Sequence, residues 1–456
     1  MKTIYLIFFI FLSTTLANAQ DASGTRKDAS EPRFMNQPWK MHHIDRQFWN
    51  HNSLSPGDVN GDGYNDYVVI HEGADKATIL FHPGNNEKPL YHEWEKIVIS
   101  EGDNVEYGYF GDFDSDGNLD VVFVNGEASS VSIVWGPDKA DVKDPSKWID
   151  AGTIPSSRDQ GHYVYVETFD INQDGAMDIV AGGRRHRSGK LNGLTWYEAP
   201  KNKSDRRDLN KWKRHSIDSD LKSGHGFVFE DINKDGLSDI VVVNADWDTP
   251  DHEDMLMWYE NPGQHVDAAD EHWNKHDVFR NQRLFAKAQV GMGDLNGDNK
   301  TDLVAQSDNY VYYIEQQETP DDWKVNIIVK PEITRWVTRP IKVVDLNGDG
   351  KLDIVGMTIH NYGYTPIGKA SVFWMEYLDD RPDTKNWQTH VIKWSDGIFS
   401  GTSWQGEKWD HMRFVDLDED GDLDIIANCE EYYEIVNGNP KTHLGVVWFE
   451  NPTINP

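Results

Sequence analysis

Seven short stretches of the chain place oxygen-bearing side chains at spacings that suit cation binding. In the third stretch, Asp170, Asn172 and Asp174 occupy positions 1, 3 and 5, Gly175 occupies position 6 and Asp178 occupies position 9. Ca²⁺ takes about six to eight oxygen ligands, and glycine permits the positive φ of a sharp turn. A single such stretch also suits an Asx-rich turn without an ion. Because the pattern recurs seven times, we expect calcium in most of these loops.

The predicted calcium ligands stand at positions 1, 3, 5 and 9 of the seven copies. They are Asp58, Asn60, Asp62, Asp66, Asp112, Asp114, Asp116, Asp120, Asp170, Asn172, Asp174, Asp178, Asp231, Asn233, Asp235, Asp239, Asp294, Asn296, Asp298, Asp302, Asp345, Asn347, Asp349, Asp353, Asp416, Asp418, Asp420 and Asp424. In the fifth copy Asn299 replaces the glycine, and asparagine tolerates positive φ better than most residues. Successive copies lie 51 to 71 residues apart, so each loop belongs to a repeat of about that length.

Each loop is followed by a short apolar run, such as DYVVI after the first copy, which predicts a buried strand. A further strand ends in aromatic residues and a turn, and most repeats carry a Trp-led strand before the loop. Four strands in a repeat of this length predict a propeller blade. The fold class we expect is therefore all-β, a seven-bladed β-propeller with a calcium-binding loop in each blade. The strand at Trp39 precedes the first loop, so we expect it to complete the last blade and close the ring.

These repeats resemble the FG-GAP and VCBS-type repeats of integrin-like propellers over roughly residues 39–452. The resemblance implies that the strand entering each loop is innermost and that all loops lie at one end of the propeller. At the opposite end, called here the loop-free end, the chain enters each innermost strand and leaves each second strand. The resemblance therefore directs the search for a site to residues at those two places in each repeat.

The N-terminal sequence and the composition of the chain indicate where the protein is located and which partners it excludes. Lys2, the apolar run 4–12 and the small residues 17–19 predict a signal peptide at 1–19, followed by a flexible leader at 20–38 and the propeller at 39–456. We expect an exported, periplasmic or secreted protein without a membrane anchor, because the apolar run is too short to span a bilayer. The net charge of −33 argues against nucleic acid as a partner. Cys429 is the single cysteine, so metal rather than a disulfide is the expected staple, and we expect a monomer.

Histidine, arginine and tyrosine concentrate at the loop-free end. His162 and His225 each follow a glycine, six to eight residues before a loop, and Arg184 and Arg185 open a basic run. Residues 184–215 hold eleven Lys or Arg against three Asp or Glu, which suggests capture of an anion such as a uronate or a sulfated sugar. The alternatives are packing histidines and a solvated basic loop. The Trp-x-x-His pairs at 212/215, 273/276 and 387/390 recur with the repeat, so we expect those to be structural.

These residue types suit β-elimination better than hydrolysis. The sequence has no GxSxG, HExxH or phosphate loop, and most of its Asp residues belong to the loops. Arginine neutralises a uronate carboxylate and acidifies the adjacent proton, which His or Tyr removes. The candidate catalytic residues are His162, His225, Arg185 and Tyr163, and the candidate substrate-binding residues are Arg184, His186, Arg187, Trp247, His360 and Tyr362.

The chain is similar in fold and in this style of site to propeller lyases that cut the algal polysaccharide ulvan. It also resembles, in chemistry, fungal aldos-2-ulose dehydratases. The resemblance implies a carbon–oxygen lyase on an anionic, ulvan-type polysaccharide or oligosaccharide, acting by chain cleavage or by dehydration. His186 could join His162 and His225 in holding an additional divalent metal. The alternatives are a non-catalytic glycan- or protein-binding propeller and a hydrolase or metal-dependent enzyme of another type.

Overall fold

The computed structural model describes most of the chain after residue 33. The described residues are 34–84, 87–102, 105–185, 188–244, 254–263, 273–281, 284, 290–335, 338–360, 368–379, 382, 384–395, 407–430, 434–436, 439–441 and 444–454. At residues 87, 88, 281, 338, 339, 359, 360, 434–436 and 439–441 the description is of the backbone alone. The predicted signal peptide and most of the predicted leader lie outside these ranges.

The chain folds as a seven-bladed all-β propeller whose blades are four-stranded antiparallel sheets. It begins with β1 (Phe34–Asn36) and β2 (Lys40–Asp45), which pair with strands from the end of the chain. Blade 1 contains β3 (Ser55–Gly57), β4 (Asp66–His71), β5 (Lys76–Phe81) and β6 (Glu95–Glu101). Blade 2 contains β7 (Val105–Gly111), β8 (Asp120–Asn125), β9 (Ser130–Trp135) and β10 (Ile149–Thr153). Blade 3 contains β11 (His162–Phe169), β12 (Asp178–Arg184), β13 (Leu194–Glu198) and β14 (Lys213–Asp218).

The remaining blades follow the same order along the chain. Blade 4 contains β15 (Phe227–Glu230), β16 (Asp239–Asn244), β17 (Asp254–Glu260) and β18 (Asn274–Asn281). Blade 5 contains β19 (Gly291–Gly293), β20 (Asp302–Gln306), β21 (Tyr310–Gln316) and β22 (Trp323–Val329). Blade 6 contains β23 (Thr338–Val344), β24 (Asp353–His360), β25 (Ala370–Tyr377) and β26 (Trp387–Trp394). Blade 7 starts with β27 (Glu407–Val415) and β28 (Asp424–Cys429), continues after the hairpin of β29 (Glu434–Val436) and β30 (Asn439–Lys441) with β31 (Val446–Glu450), and ends with β2.

Helical structure is confined to short turns in the described part of the chain. The α-helix α1 spans Glu87–Leu90, and 3-10 turns span Glu72–Ala74, Lys139–Asp141, Pro145–Lys147, Pro155–Ser157, Lys203–Asp205, Leu209–Lys211 and Glu332–Thr334. None of these helices has the length and apolarity that crossing a bilayer demands.

The two N-terminal strands close the ring. β2 pairs antiparallel with β31, with Lys40 opposite Glu450, so blade 7 takes its outermost strand from the start of the chain. β1 pairs parallel with β26 of blade 6, with Phe34 opposite Thr389. The expected flexible leader at 20–38 is therefore wrong at its end, because residues 34–36 form a strand. Pairing both ends of the chain into the sheets removes open edges.

The core lies between the blades. β4, β8 and β28 are buried along their whole length, because both faces of a second strand pack against neighbouring blades. One continuous cluster joins Val122 of blade 2, Ile179 of blade 3 and Val242 of blade 4. Burying one such aliphatic side chain stabilises the fold by about 1.5–3 kcal/mol. The apolar runs after each loop thus hold adjacent blades together and fix the first strands around the axis.

Candidate functional site

His162 lies at the loop-free end, where β11 begins and β12 ends. It stands opposite Arg184 in the strand pairing, and both residues are at the tips of their strands. The His162 ring is 4% exposed, and its Nε2 lies 2.9 Å from Oε1 of Glu106 in blade 2. Nη2 of the half-buried Arg184 lies 3.1 Å from the same Nε2. A histidine, an arginine and a carboxylate therefore meet around one ring nitrogen.

That ring nitrogen has two competing partners. When Nε2 carries a proton it donates to Glu106, and when it does not it accepts from Arg184. The two contacts exclude each other, so the position of the His162 proton decides which one forms. Nδ1 of the same ring lies 3.8 Å from Oε1 of Glu127, a second carboxylate on the other side of the ring. The arrangement offers a hydrogen-bond partner to Nε2 in either tautomer of His162.

His225 is connected to the same place through the end of β12. Arg184 forms an isolated bridge with Ser223, and the Ser223 hydroxyl is 2.5 Å from Nδ1 of His225. The Gly224 amide donates to the Gly183 carbonyl at 3.0 Å. The sequence analysis nominated His162, Arg184 and His225 separately. In the structure Arg184, at the end of β12, pairs with His162 and bridges to Ser223, which contacts His225.

The linkage requires glycine at the contact between blades 3 and 4. A Cβ added to Gly182 would lie 2.2 Å from the Gly224 carbonyl oxygen, which no side chain can accommodate. The backbones of β12 and of the segment entering β15 therefore touch directly. This close approach sets the separation between the His162 and His225 segments.

Tyr163, nominated as a catalytic residue, does not join this group but lies in the core. Its side chain is fully buried, and its hydroxyl donates to the Ser157 carbonyl at 3.0 Å and contacts the Tyr197 hydroxyl. Successive side chains of a strand point to opposite faces. With His162 at the site, its neighbour Tyr163 has to enter the core between blades 2 and 3.

The other nominated residues divide into two groups. Arg185 is exposed, and its Nη1 donates to the Gly189 carbonyl at 3.2 Å, so it lies beside the group without contacting it. His186, Arg187, Trp247 and Tyr362 lie outside the described residues. The backbone of His360 pairs with Glu407, which places β24 beside β27 at the junction of blades 6 and 7.

Each predicted calcium loop joins the first strand of a blade to the second. In blade 3, Oδ1 of Asp170 accepts from the Asp174 amide at 3.0 Å and Oδ2 accepts from the Gly175 amide at 2.9 Å. The position-6 residues adopt positive φ, including Asn299 at 66°. At position 9, Asp178 is fully buried and accepts from the Ile171 and Ala199 amides at 3.1 and 2.8 Å, so backbone amides hold this carboxylate in place.

The loops retain oxygen atoms that fit a cation. Asp112, Asp114 and Asp120 bring one oxygen each within 4.8 Å of one another, and Asp416, Asp418 and Asp424 do the same. Among the described residues, the buried Oδ1 atoms of Asp112 and Asp418 have no hydrogen-bond partner. Burial raises the pKa of Asp120 to about 8, because a carboxylate away from water is disfavoured without compensating positive charge. The donor set is the all-oxygen type that Ca²⁺ prefers.

The basic stretch 184–215 does not act as one anion-binding surface. Arg207 bonds Asp114 at 2.5 Å and Asp116 at 3.3 Å, so it lies on the calcium loop of blade 2. Lys203 donates to the Ser115 carbonyl at 2.5 Å, and Arg206 contacts the hydroxyl of the same serine. The net charge of the stretch predicted an anion site, but Lys203, Arg206 and Arg207 lie at the opposite end of the propeller.

Histidines also meet a carboxylate where blade 7 adjoins blade 1. Nε2 of His51 lies 3.2 Å and Nε2 of His71 lies 3.8 Å from Oδ2 of Asp45, and all three side chains are fully buried. Lys96 bonds the other oxygen of Asp45, so the carboxylate is already neutralised without a metal. The expected additional metal at His162, His186 and His225 is a different group, and His186 is outside the described residues.

Sequence reasoning missed Glu106, the carboxylate that contacts His162. Its Oε2 accepts from Asn52 Nδ2 at 3.4 Å, and Asn52 also donates to Glu72 at 3.3 Å. These residues come from blades 1 and 2, so the polar group spans three blades. Its position in the repeat could have revealed it. Glu106 stands six residues before its loop, which is the position that His225 occupies in blade 4.

A family model for the FG-GAP-like repeat matches residues 58–123, 112–181 and 294–356. These segments are similar to FG-GAP-like repeats. They include the loops of blades 1, 2, 3, 5 and 6, and the loops of blades 4 and 7 have the same residue pattern. A comparison with curated protein sequences finds no match.

Solved structures are similar to this chain at low sequence identity. A lectin of Agrocybe aegerita that recognises non-reducing terminal N-acetylglucosamine is 15% identical with a TM-score of 0.48, over 88% of this chain and 95% of the lectin. BBS1N, solved in complex with ARL6DN, is 10% identical with a TM-score of 0.45, over 92% of this chain and 100% of that chain. A Lactobacillus plantarum protein is 10% identical with a TM-score of 0.40, over 75% and 88% of the two chains.

Proposed function

We propose that this chain is a carbon–oxygen lyase that acts by β-elimination on a uronate-containing, ulvan-type saccharide. The observation that carries the proposal is the position of Arg184 between His162 and His225. A uronate lyase needs a cation for the carboxylate and two proton-transferring groups beside it. The loop-free end supplies one arginine and two histidines within a single linked group.

The roles follow from the contacts. Arg184, half-buried and reachable from solvent, pairs with the substrate carboxylate and acidifies the hydrogen on the adjacent carbon. One histidine removes that hydrogen as a proton, and its electron pair forms the new carbon–carbon double bond. The bond from the next carbon to its oxygen then breaks, and the other histidine protonates the departing oxygen. Glu106 is a positioning residue that holds the His162 ring through Nε2.

We also propose that the loops bind Ca²⁺ as a structural ion. The carboxylates and amides at positions 1, 3 and 5 would supply the oxygens, and the position-9 Asp would brace the loop against the second and third strands. When bound, Ca²⁺ neutralises the clustered carboxylates. A closed loop then fixes the turn between the first and second strands of its blade.

The proposal also includes the location and the oligomeric state of the protein. The N-terminal sequence favours export to the periplasm or the medium, and we propose that a monomer meets its anionic saccharide there. The guanidinium groups of Arg184 and Arg185 at the loop-free end suit that ligand.

The test is the ultraviolet absorbance of the unsaturated uronate, whose double bond is conjugated with its carboxylate. The purified protein is incubated with ulvan and with ulvan oligosaccharides. We expect the absorbance to rise with the wild type and to stay flat with Arg184→Met. Arg280→Met is the matched control, because Arg280 is 53% exposed and pairs only locally with Asp277 at 2.6 Å. A flat trace with the wild type on every uronate saccharide tried contradicts the lyase.

A glycan-binding propeller is the second candidate function, and one observation favours it. The side chains of His162 and Glu106 are only 5% and 9% exposed and contact each other, as expected for a pair that shapes a surface. This candidate predicts saturable binding of ulvan oligosaccharides without any rise in absorbance. It further predicts that His162→Gln leaves binding within a fewfold of the wild type.

A further inference from the structure

One position in the repeat surrounds the propeller axis. The residue three places before the first Asp of each loop lies on the first strand of its blade, so these residues form a ring. Glu167 of blade 3, Lys342 of blade 6 and Arg413 of blade 7 are charged members of the ring, and Tyr109 of blade 2 is another polar one. Blades 1, 4 and 5 contribute the smaller Ser55, Val228 and Gly291.

The residues two positions before the ring residues lie nearer the loop-free end, and their side chains contact one another across the axis. The Tyr107 and Tyr165 rings are 4.5 Å apart, and the His411 ring lies 4.9 Å from Tyr107 and 6.2 Å from Tyr165. Blades 3 and 7 stand on opposite sides of the ring, so Tyr165 and His411 can approach only through the centre. Glu167 and Arg413 follow them by two residues, on the same strand faces.

Lys342 and Arg413 form no direct ion pair with a carboxylate among the described residues. Glu167 accepts from the Tyr165 hydroxyl, and Arg413 Nη1 donates to the Met412 carbonyl at 3.1 Å. Within the described part of the chain, no carboxylate lies within 4.0 Å of the Lys342 ammonium or the Arg413 guanidinium. All three charged side chains keep partial exposure. Two cationic residues thus interact with one acidic residue at this ring, in a chain whose net charge is −33.

We infer that the axial channel is a binding site for an oxyanion, held by Lys342 and Arg413. The ligand chemistry is a sulfate ester or a carboxylate, the two anionic groups of acidic saccharides. Arginine offers a planar fork for two oxygens and lysine offers a point charge, so together they suit a group with several oxygens. Glu167 leaves a net charge of one positive unit, which a single oxyanion neutralises. The site stands on its own geometry and does not depend on the lyase reaction.

The protonation of Lys342 supports the inference. Burial and, to a lesser extent, the charge of Arg413 lower the pKa of Lys342 to about 8, against the opposing charge of Glu167. Besides these two residues, the groups that face the channel are Tyr107, Tyr109, Tyr165 and His411. Lys342 is charged below its pKa and neutral above it, so anion affinity should fall as pH rises through about 8.

The experiment is a calorimetric titration of the full chain with sodium sulfate and, separately, sodium glucuronate, at constant ionic strength in chloride. We expect saturable binding to the wild type, weakened about tenfold to a hundredfold in Lys342→Met, since a hydrogen bond to a charged group is lost. Lys324→Met is the matched control, because Lys324 is 59% exposed and pairs with Glu315 at 2.6 Å on the outermost strand. Arg413→Lys, which keeps the charge and removes the fork, should weaken binding by a smaller factor. Thermal melting checks that each variant is folded.

The outcomes distinguish a sulfate ester from a carboxylate as the ligand, and they also test whether the site binds an anion at all. Binding of sulfate alone identifies a sulfate-ester site, and binding of glucuronate alone identifies a carboxylate site. Absence of binding of both anions to the wild type overturns the inference, as does binding to Lys342→Met that equals the wild type. None of these readouts involves turnover, so a failed lyase assay leaves them interpretable.

Discussion

The outer-strand histidines and the loop-free histidines have different environments, and the repeat explains the difference. Four outer-strand histidines stack on a tryptophan of the third strand, with ring centroids 4.0 to 4.5 Å apart, and approach a glutamate two residues beyond it. These groups are His42 with Trp448 and Glu450, His215 with Trp196 and Glu198, His276 with Trp258 and Glu260, and His390 with Trp374 and Glu376. By contrast, His162 contacts Glu106 of the neighbouring blade, and His225 contacts Ser223 two residues before it.

This contrast separates architecture from candidate function. A contact that recurs in four blades stabilises what the blades share, namely the seam between their third and fourth strands. The expectation that the Trp-x-x-His pairs are structural is consistent with these contacts. A contact that occurs once, such as Glu106 with His162, serves something that the repeat alone does not need. Recurrence therefore assigns residues to the fold, and departures from it nominate the site.

The largest effect should come from removing the cation that we propose for the seven recurring loops. We expect a chelator to lower the melting temperature in one cooperative step, because each site held a hundredfold above its Kd adds about 2.7 kcal/mol. Calorimetry before and after excess Ca²⁺ is restored measures the effect.

Two variants sharpen that measurement. Asp174→Asn weakens one loop and should lower the melting temperature, while Asp141→Asn, at an exposed acidic residue outside the loops, should not. A melting curve that is identical with and without chelator would show that the loops fold as ion-free Asx turns.

The fold was predictable from the sequence because its signals repeat. Seven Asp-rich loops with apolar runs behind them set the number of blades, and the Trp39 strand indicated how the ring closes. The loops also reveal equivalent positions in all blades. Counting back from each loop finds the axial ring of Glu167, Lys342 and Arg413 without a structure.

The site was only partly predictable because its contacts lie between blades. His162 and Arg184 end paired strands, so their proximity follows from the hairpin register. Glu106 reaches His162 from another blade, and no local pattern encodes that packing. The basic stretch was misjudged since net charge has no direction: Arg207 lies on a calcium loop, whereas Arg184 lies at the other end.

A smaller effect should follow from exchanging one recurrent histidine. His390→Leu removes the hydrogen bonds to Glu376 and Gln37, both about 2.9–3.0 Å long, and replaces the ring stacked on Trp374. We expect a loss of about 1–3 kcal/mol in the free energy of unfolding, from one stacked pair and two hydrogen bonds. Denaturant unfolding measures it.

The lyase rate completes that comparison. His390→Leu should leave the rate unchanged, while His162→Gln should lower it by about 10²–10⁴-fold with stability near the wild type. The opposite pattern is a loss of stability in His162→Gln and a loss of rate in His390→Leu. It would show that the recurrent contacts do not mark the fold and that the single contacts do not mark the site.

The smallest effect should come from Glu106, which acts through His162. Glu106→Gln keeps the shape of the side chain and removes its charge, so the His162 ring keeps a hydrogen-bond acceptor but loses its contact with a charged carboxylate. We expect kcat to fall about tenfold with KM unchanged, because hydrogen bonds to charged groups contribute about 1.5–3 kcal/mol and only part of that is lost. Glu101→Gln, at a carboxylate that is 68% exposed, is the matched control and should change neither parameter. If KM rises while kcat is retained, Glu106 shapes the saccharide surface instead, and the recurrence argument then identifies a binding site rather than a catalytic one.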